Sequence, residues 1–150
     1  MSKTPSKSST NGFDAGEMAE LVRLAGREIR RVSREVAEES GRAMLPPHQQ
    51  RALRAVGQEP IRPARLAELL RITPRAVTDV VDALVGAQFV TREQDPGDRR
   101  AQIVTITDAG RAELKVSEGH RHEAARRVFA GLEVGEAEQL AETLAKVLRG

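Results

Sequence analysis

Leu66 to Thr107 read LAELLRITPRAVTDVVDALVGAQFVTREQDPGDRRAQIVTIT. Val77, Val80, Val81, Leu84 and Val85 recur at i, i+3, i+4, i+7 and i+8, the spacing of one buried helix face. Arg75, Thr78, Asp79 and Asp82 keep the same spacing on the opposite side. Thr73-Pro74 opens this helix with a hydroxyl N-cap and a proline at the first helical position. Four residues earlier, a shorter pattern begun by Pro63 places Leu66, Leu69 and Leu70 facing inward. Phe89–Glu93 and Ala101–Ile106 then read as two strands around the turn residues Asp95-Pro96-Gly97-Asp98, with Arg99 and Arg100 near the tip. A helix anchored on one side, with Arg and hydroxyl groups near its N-terminus on the other, can carry donors into a DNA major groove. A solvated helix face in an ordinary domain would share that pattern. The hairpin tilts the choice, because a loop bearing two arginines directly after such a helix suits the neighbouring minor groove.

With these residues in view, the stretch resembles the winged helix-turn-helix of the MarR family of bacterial transcriptional regulators. Asp98-Arg99-Arg100 followed by Val104, Ile106, Thr107 and Gly110 is similar to the family's D-x-R, V-x-L-T and trailing glycine. Leu45-Pro46-Pro47, Leu66-Ala67, and Gly131-Leu132 with Glu138 and Leu140 sit where the family would place them, so the likeness spans roughly residues 13 to 149. It implies a homodimer with interleaved N- and C-terminal helices, a palindromic double-stranded DNA operator, and a small-molecule site between the dimerisation helices and the DNA-binding domain. Two residues depart from the family's habits. Arg71 stands in the turn where the family often has glycine, and a positive φ there would cost about 1 kcal/mol. Asp79 stands where a basic residue is common, and it faces phosphates badly unless it accepts from a cytosine amino group or pairs with Arg75.

The expected fold is mainly α with a small antiparallel β-hairpin, a winged helix-turn-helix with helical dimerisation extensions at both termini. Residues 1–12, rich in Ser, Thr and Lys, read as a disordered arm and not as a secretory signal. Residues 13–45 form an N-terminal dimerisation segment, a helix over Phe13–Glu39 with Met18, Leu21, Val22, Ala25, Ile29, Val32 and Val36 on one side. Residues 46–107 form the DNA-binding domain. It begins with a short helix over about His48–Val56 that Gly57 and Pro60 end, and Ile61-Arg62 is a possible third strand. Residues 108–150 form two C-terminal dimerisation helices, Asp108–Ala130 and Glu136–Leu148, the second carrying Leu140, Leu144 and Val147 on one stripe. The terminal helices are too long and too thinly apolar to serve only a small core, and a homodimer would bury their remaining stripes.

Composition narrows the alternatives. With 39% hydrophobic and 31% charged residues the chain is globular, and three Phe with no Tyr or Trp leave little for stacking bases, as RNA and single-strand binders do. The net charge is only +2, and between Ile61 and Thr107 seven Arg face six carboxylates, so DNA binding requires the charges to be sorted in space. The absence of cysteine excludes disulfides and thiol redox sensing and fits a cytoplasmic location. No apolar run approaches the ~18 residues of a membrane span. No phosphate-cradling glycine loop, nucleophile elbow or His pair at helical i, i+4 spacing is present, so neither enzyme, cofactor nor metal is expected. His120 and His122, two apart on a helix, point nearly opposite ways. Thr73, Pro74, Arg75, Thr78, Asp79, Asp98, Arg99 and Arg100 are the candidate DNA contacts. Met44, Leu45, His48 and Arg51 are candidates for a pocket taking a phenolate or carboxylate effector. The expected function is a dimeric repressor released by a small ligand. A winged-helix adaptor that docks proteins is the alternative, and only DNA binding would weaken steeply with salt.

Overall fold

The computed structural model describes residues 14–149, so the arm at residues 1–12 and Phe13 lie outside the described residues. Six helices and one hairpin follow in the order α1 (Ala15–Glu39), α2 (Pro47–Gln58), α3 (Pro63–Leu70), α4 (Pro74–Gly86), β1 (Val90–Asp95), β2 (Asp98–Ile106), α5 (Asp108–Val128) and α6 (Val134–Arg149). The strands pair antiparallel from Val90 opposite Ile106 to Gln94 opposite Gln102, with an irregularity at Asp95. Ile61 adds a single bridge to Val104 through two backbone hydrogen bonds of 3.1 and 2.8 Å.

One core lies beneath the helix-turn-helix. Leu53 and Val56 of α2, Leu66 and Leu70 of α3, Val77, Val81 and Leu84 of α4, and Val90, Val104 and Ile106 of the hairpin are all buried. A second, smaller cluster joins α1 to α5 through Val32, Val36 and Ala124, with Ile29 and Val128 against it. Arg127 of α5 grips Glu39 of α1 with two bonds of 2.9 and 2.8 Å and reaches back to Glu123 at 2.9 Å. The apolar stripe of α1 is thus spent only over its C-terminal half. Met18, Leu21 and Val22 stay exposed, and α6 has no buried residue at all, with Val147 70% and Leu148 85% exposed.

Several elements differ from the sequence expectation. Helix α2 runs through Gly57 to Gln58, because Gly57 serves a close approach: a Cβ there would stand 2.6 Å from Leu114 Cδ1 of α5. Leu69 is 48% exposed, since α3 has only eight residues and its inward face is filled by Leu66 and Leu70. The strands run farther toward the tip, bringing Arg99 and Arg100 into β2 and leaving only Pro96-Gly97 between. Helix α5 stops two residues earlier, and α6 starts two residues earlier, than the periodicity suggested.

Three helices end in the same way, on a left-handed residue whose own N–H and whose successor's N–H fold back onto the last turn. Only α1 uses glycine for this, Gly41 at φ 71°. Helix α3 uses Arg71 at φ 54°, whose N–H donates to Glu68 O while Ile72 N–H donates to Ala67 O, both at 3.2 Å. Helix α4 uses Gln88 at φ 62°, with the matching bonds to Val85 O and Leu84 O at 2.9 Å. The two non-glycine residues each cost about 1 kcal/mol. Ile72 and Phe89, directly after them, pack against the core and offset that cost.

Candidate nucleic-acid interface

Helix α4 begins as its sequence suggests. Thr73 Oγ1 accepts the N–H of Ala76 at 3.2 Å and Pro74 occupies the first turn, which leaves the start of the helix open to solvent. Val77, Val81 and Leu84 anchor the inner face, while Arg75, Thr78, Asp79 and Asp82 are exposed on the outer one. The hydroxyl of Thr78 donates to Pro74 O at 3.1 Å, which turns its hydrogen away from any ligand. Asp82 accepts from Arg92 Nη2 of β1 at 2.5 Å, tying helix to hairpin. Asp79 takes part in no ion pair or hydrogen bond among the described residues.

The hairpin tip is built by two aspartates. Asp95 Oδ1 accepts the N–H of Gly97 at 2.8 Å, and Asp95 Oδ2 accepts from Arg62 Nε, at the N-cap of α3, at 2.6 Å. The Gly97 amide first, and the Arg62 guanidinium second, hold the Asp95 carboxyl below the usual carboxylate range. A depressed value means that the anchor is fully present above about pH 4 and is lost only as pH falls through the lowered pKa. Asp98 Oδ1 accepts the backbone N–H of Arg100 at 3.0 Å. Asp98 therefore orders the loop backbone beneath Arg100 instead of gripping its guanidinium. The side chains of Arg99 and Arg100 are exposed and free of ion pairs among the described residues.

Three ion pairs take up part of this balanced charge. Arg62, Arg65 and Arg92 are paired with Asp95, Glu68 and Asp82. Among the described residues, Arg71, Arg75, Arg99 and Arg100, on the turn, the outer helix face and the wing tip, are left without an ion pair, as are Asp79, Glu93 and Asp98. Arg62, Arg92, Asp82 and Asp95 were not on the list of sequence candidates. Their pairing joins residues thirty-three and ten positions apart, a separation that leaves no periodic signal.

The four ligand candidates do not come together. Met44 and Leu45 line a cleft of about 430 Å³ with Pro46, Pro47, Gln50 and three arginines of α1, Arg27, Arg30 and Arg34. Arg51 lines a shallower hollow of about 400 Å³ with Arg54, Leu69 and Leu70, and its Nη2 donates to Leu70 O at 3.2 Å. His48 is exposed in the first turn of α2 and lines neither. His120 Nε2 lies 3.2 Å from Ser40 Oγ, and the described residues contain no cluster of three metal-ligating side chains. None of their helices is long and apolar enough to cross a membrane.

Comparison with known proteins decides the family. The profile of the MarR family matches residues 47–101, from the start of α2 to the wing arginines. Residues 47–101 belong to the MarR family of winged helix-turn-helix proteins. A probable transcriptional regulator from Pseudomonas aeruginosa is 26% identical, with a TM-score of 0.62 over 87% of this chain and 96% of that one. The apo form of wild-type MarR from E. coli shares the fold at a TM-score of 0.76 and 22% identity, over 93% of this chain and 99% of that one. BpsR of Bordetella bronchiseptica, whose DNA binding is regulated by 6-hydroxynicotinic acid, is 22% identical with a TM-score of 0.66, over 93% and 99%. No curated protein matches in sequence. The family match implies DNA binding and dimerisation, the properties of a transcriptional regulator and not of an enzyme.

Proposed function

We propose that this MarR-family regulator is a cytoplasmic repressor that binds a palindromic operator as a homodimer and is released by a small aromatic acid. Residues 13–45 and 108–150 supply the dimer contacts, and residues 46–107 read the DNA. The two α4 helices enter successive major grooves, about 10 base pairs apart, and the wings reach the flanking minor grooves. Arg75 and Thr78 contact bases or phosphate and Asp79 faces a base edge, Thr73 and Pro74 bring the helix N-terminus to a phosphate, and Asp98 poses Arg100 while Arg99 touches phosphate. The observation that carries this reading is the placement of the arginines between Ile61 and Thr107 that take no ion pair: all four lie on the turn, the exposed face of α4 and the wing tip, against three free carboxylates, Asp79, Glu93 and Asp98. A protein-docking adaptor has no need of free arginines at both a helix N-terminus and a wing tip, the two places that meet adjacent grooves of a duplex. Footprinting upstream of the chain's own gene, with binding measured against salt, tests it, because phosphate contacts make affinity fall steeply with salt.

The wing offers a graded test. Arg100→Ala weakens operator binding by about 1–3 kcal/mol, in a way that depends on flanking A·T content. Arg99→Ala costs less, acts alike on all sequences and lowers the salt slope by about one. Asp98→Ala follows Arg100→Ala although it removes a negative charge, since it releases the Arg100 backbone N–H. Tighter operator binding by Asp98→Ala would reduce the wing to a charged loop.

For the effector, Arg27, Arg30 and Arg34 over the apolar floor of Met44, Leu45 and Pro46 suit a flat anion. None of the three arginines is in an ion pair among the described residues. The aromatic acid that regulates BpsR supports the same ligand class. Titrating 6-hydroxynicotinate or benzoate into the operator complex should release DNA from the wild type, and Arg30→Ala should blunt the response. A release that is the same in wild type and Arg30→Ala would move the effector elsewhere.

A further inference from the structure

We infer that Asp79 is a specificity-determining residue that selects a C·G base pair in each operator half-site, an inference that rests on the DNA-binding reading above. On the outer face of α4, two of the four polar side chains are already committed. Asp82 is held by Arg92, and the hydroxyl hydrogen of Thr78 is spent on Pro74 O, so Thr78 presents mainly its methyl group. Arg75 and Asp79 are exposed on neighbouring turns of the same face and do not pair with each other. Asp79 therefore meets DNA as a bare acceptor, six residues into the helix, in the N-terminal part that reaches base edges.

An unpaired carboxylate is a demanding reader. Phosphates repel it, and so do the acceptor atoms N7 and O6 of guanine and O4 of thymine. Among major-groove edges only cytosine N4 and adenine N6 donate, and the N7 acceptor beside adenine N6 opposes a second carboxylate oxygen. Cytosine remains. Arg75 lies four residues earlier, ~6 Å along the helix axis, within reach of guanine O6 and N7 on the same or an adjacent pair. The two side chains then form a complementary reader, with Arg75 on guanine and Asp79 on cytosine. Asp79 also acts against every other sequence, because without its cytosine it stays a buried, unmatched charge in an anionic groove.

The test uses the full-length protein and selection of bound duplexes from a random library, followed by competition binding on the enriched site. Wild type should enrich one strongly preferred C·G position per half-site, and replacing that pair should cost it about 10-fold in affinity. Asp79→Asn should move the preference at that position alone toward A·T, since a carboxamide matches adenine N6 and N7. Asp79→Ala should lose the preference there and bind random duplex several-fold more tightly. Because Asp79 is exposed, the three should melt within a few degrees of one another, with Asp79→Ala highest by helix propensity. The inference falls if the three proteins enrich the same bases at every position and differ only in overall affinity, for Asp79 then lies outside the groove. If none enriches any sequence, the DNA-binding reading fails along with it, a separately recognisable result.

Discussion

Gly110→Ala lowers the unfolding free energy by about 3 kcal/mol or more, at the upper end of what overpacking costs. A Cβ at Gly110 would stand 2.1 Å from the carbonyl oxygen of Phe89 and 2.8 Å from Ile106 Cγ1. The first of these is backbone and cannot swing aside. That carbonyl also accepts the N–H of Thr107 at 3.0 Å, and Thr107 Oγ1 both donates to Gln88 O at 2.7 Å and accepts the Gly110 N–H at 3.0 Å. The start of α5 is thus pressed onto the end of α4, and an added methyl group pries apart the joint between recognition helix, wing and dimerisation helix. Gly119→Ala is the control. It lies in the same helix with nothing within 4 Å of its Cβ position, so relief of the glycine penalty should stabilise by about 0.5–1 kcal/mol. Urea unfolding of the two variants checks the pair, and a Gly110→Ala protein as stable as the parent would refute the close approach.

Removing residues from Glu136 onward yields a protein whose operator affinity falls by about two to four orders of magnitude. Two half-sites bound by a linked pair of readers gain that much from effective concentration alone. Leu140, Leu144, Val147 and Leu148 are exposed on α6, and Met18, Leu21 and Val22 on the free half of α1. No element among the described residues covers these side chains, and dimerisation is the family's way of burying them. The double change Leu140→Lys and Val147→Lys should act in the same direction while keeping α6, which separates loss of the interface from loss of a helix. Light scattering and binding to whole and half operators measure both. A monodisperse truncated monomer that binds the whole operator with full affinity would overturn the requirement for a dimer.

Features that depend on neighbours within about one helical turn were legible along the chain. The recognition helix was legible because Val77, Val81 and Leu84 repeat at helical spacing. Its start was legible because Thr73 and Pro74 act on the next three residues. The wing turn followed from Asp95 and Gly97, two positions apart. The outcome at other residues was set by distant partners. Leu69 looked inward by period, yet the core had room on α3 only for Leu66 and Leu70. Gly57 looked like a helix breaker, yet it is the point where α5 crosses α2. Asp98 could serve a side chain or the backbone, and the hairpin geometry chose the backbone of Arg100. Arg51 was the natural pocket arginine by proximity, whereas the cleft at Met44 and Leu45 takes its arginines from α1. Above all, a balanced count of charges said nothing about which would remain free. Folding brought Asp95 to Arg62 and Asp82 to Arg92, and so left Arg71, Arg75, Arg99 and Arg100 without an ion pair among the described residues. Periodicity and capping are short-range and can be read along a chain. Ion pairing across elements is decided by where the chain returns in space.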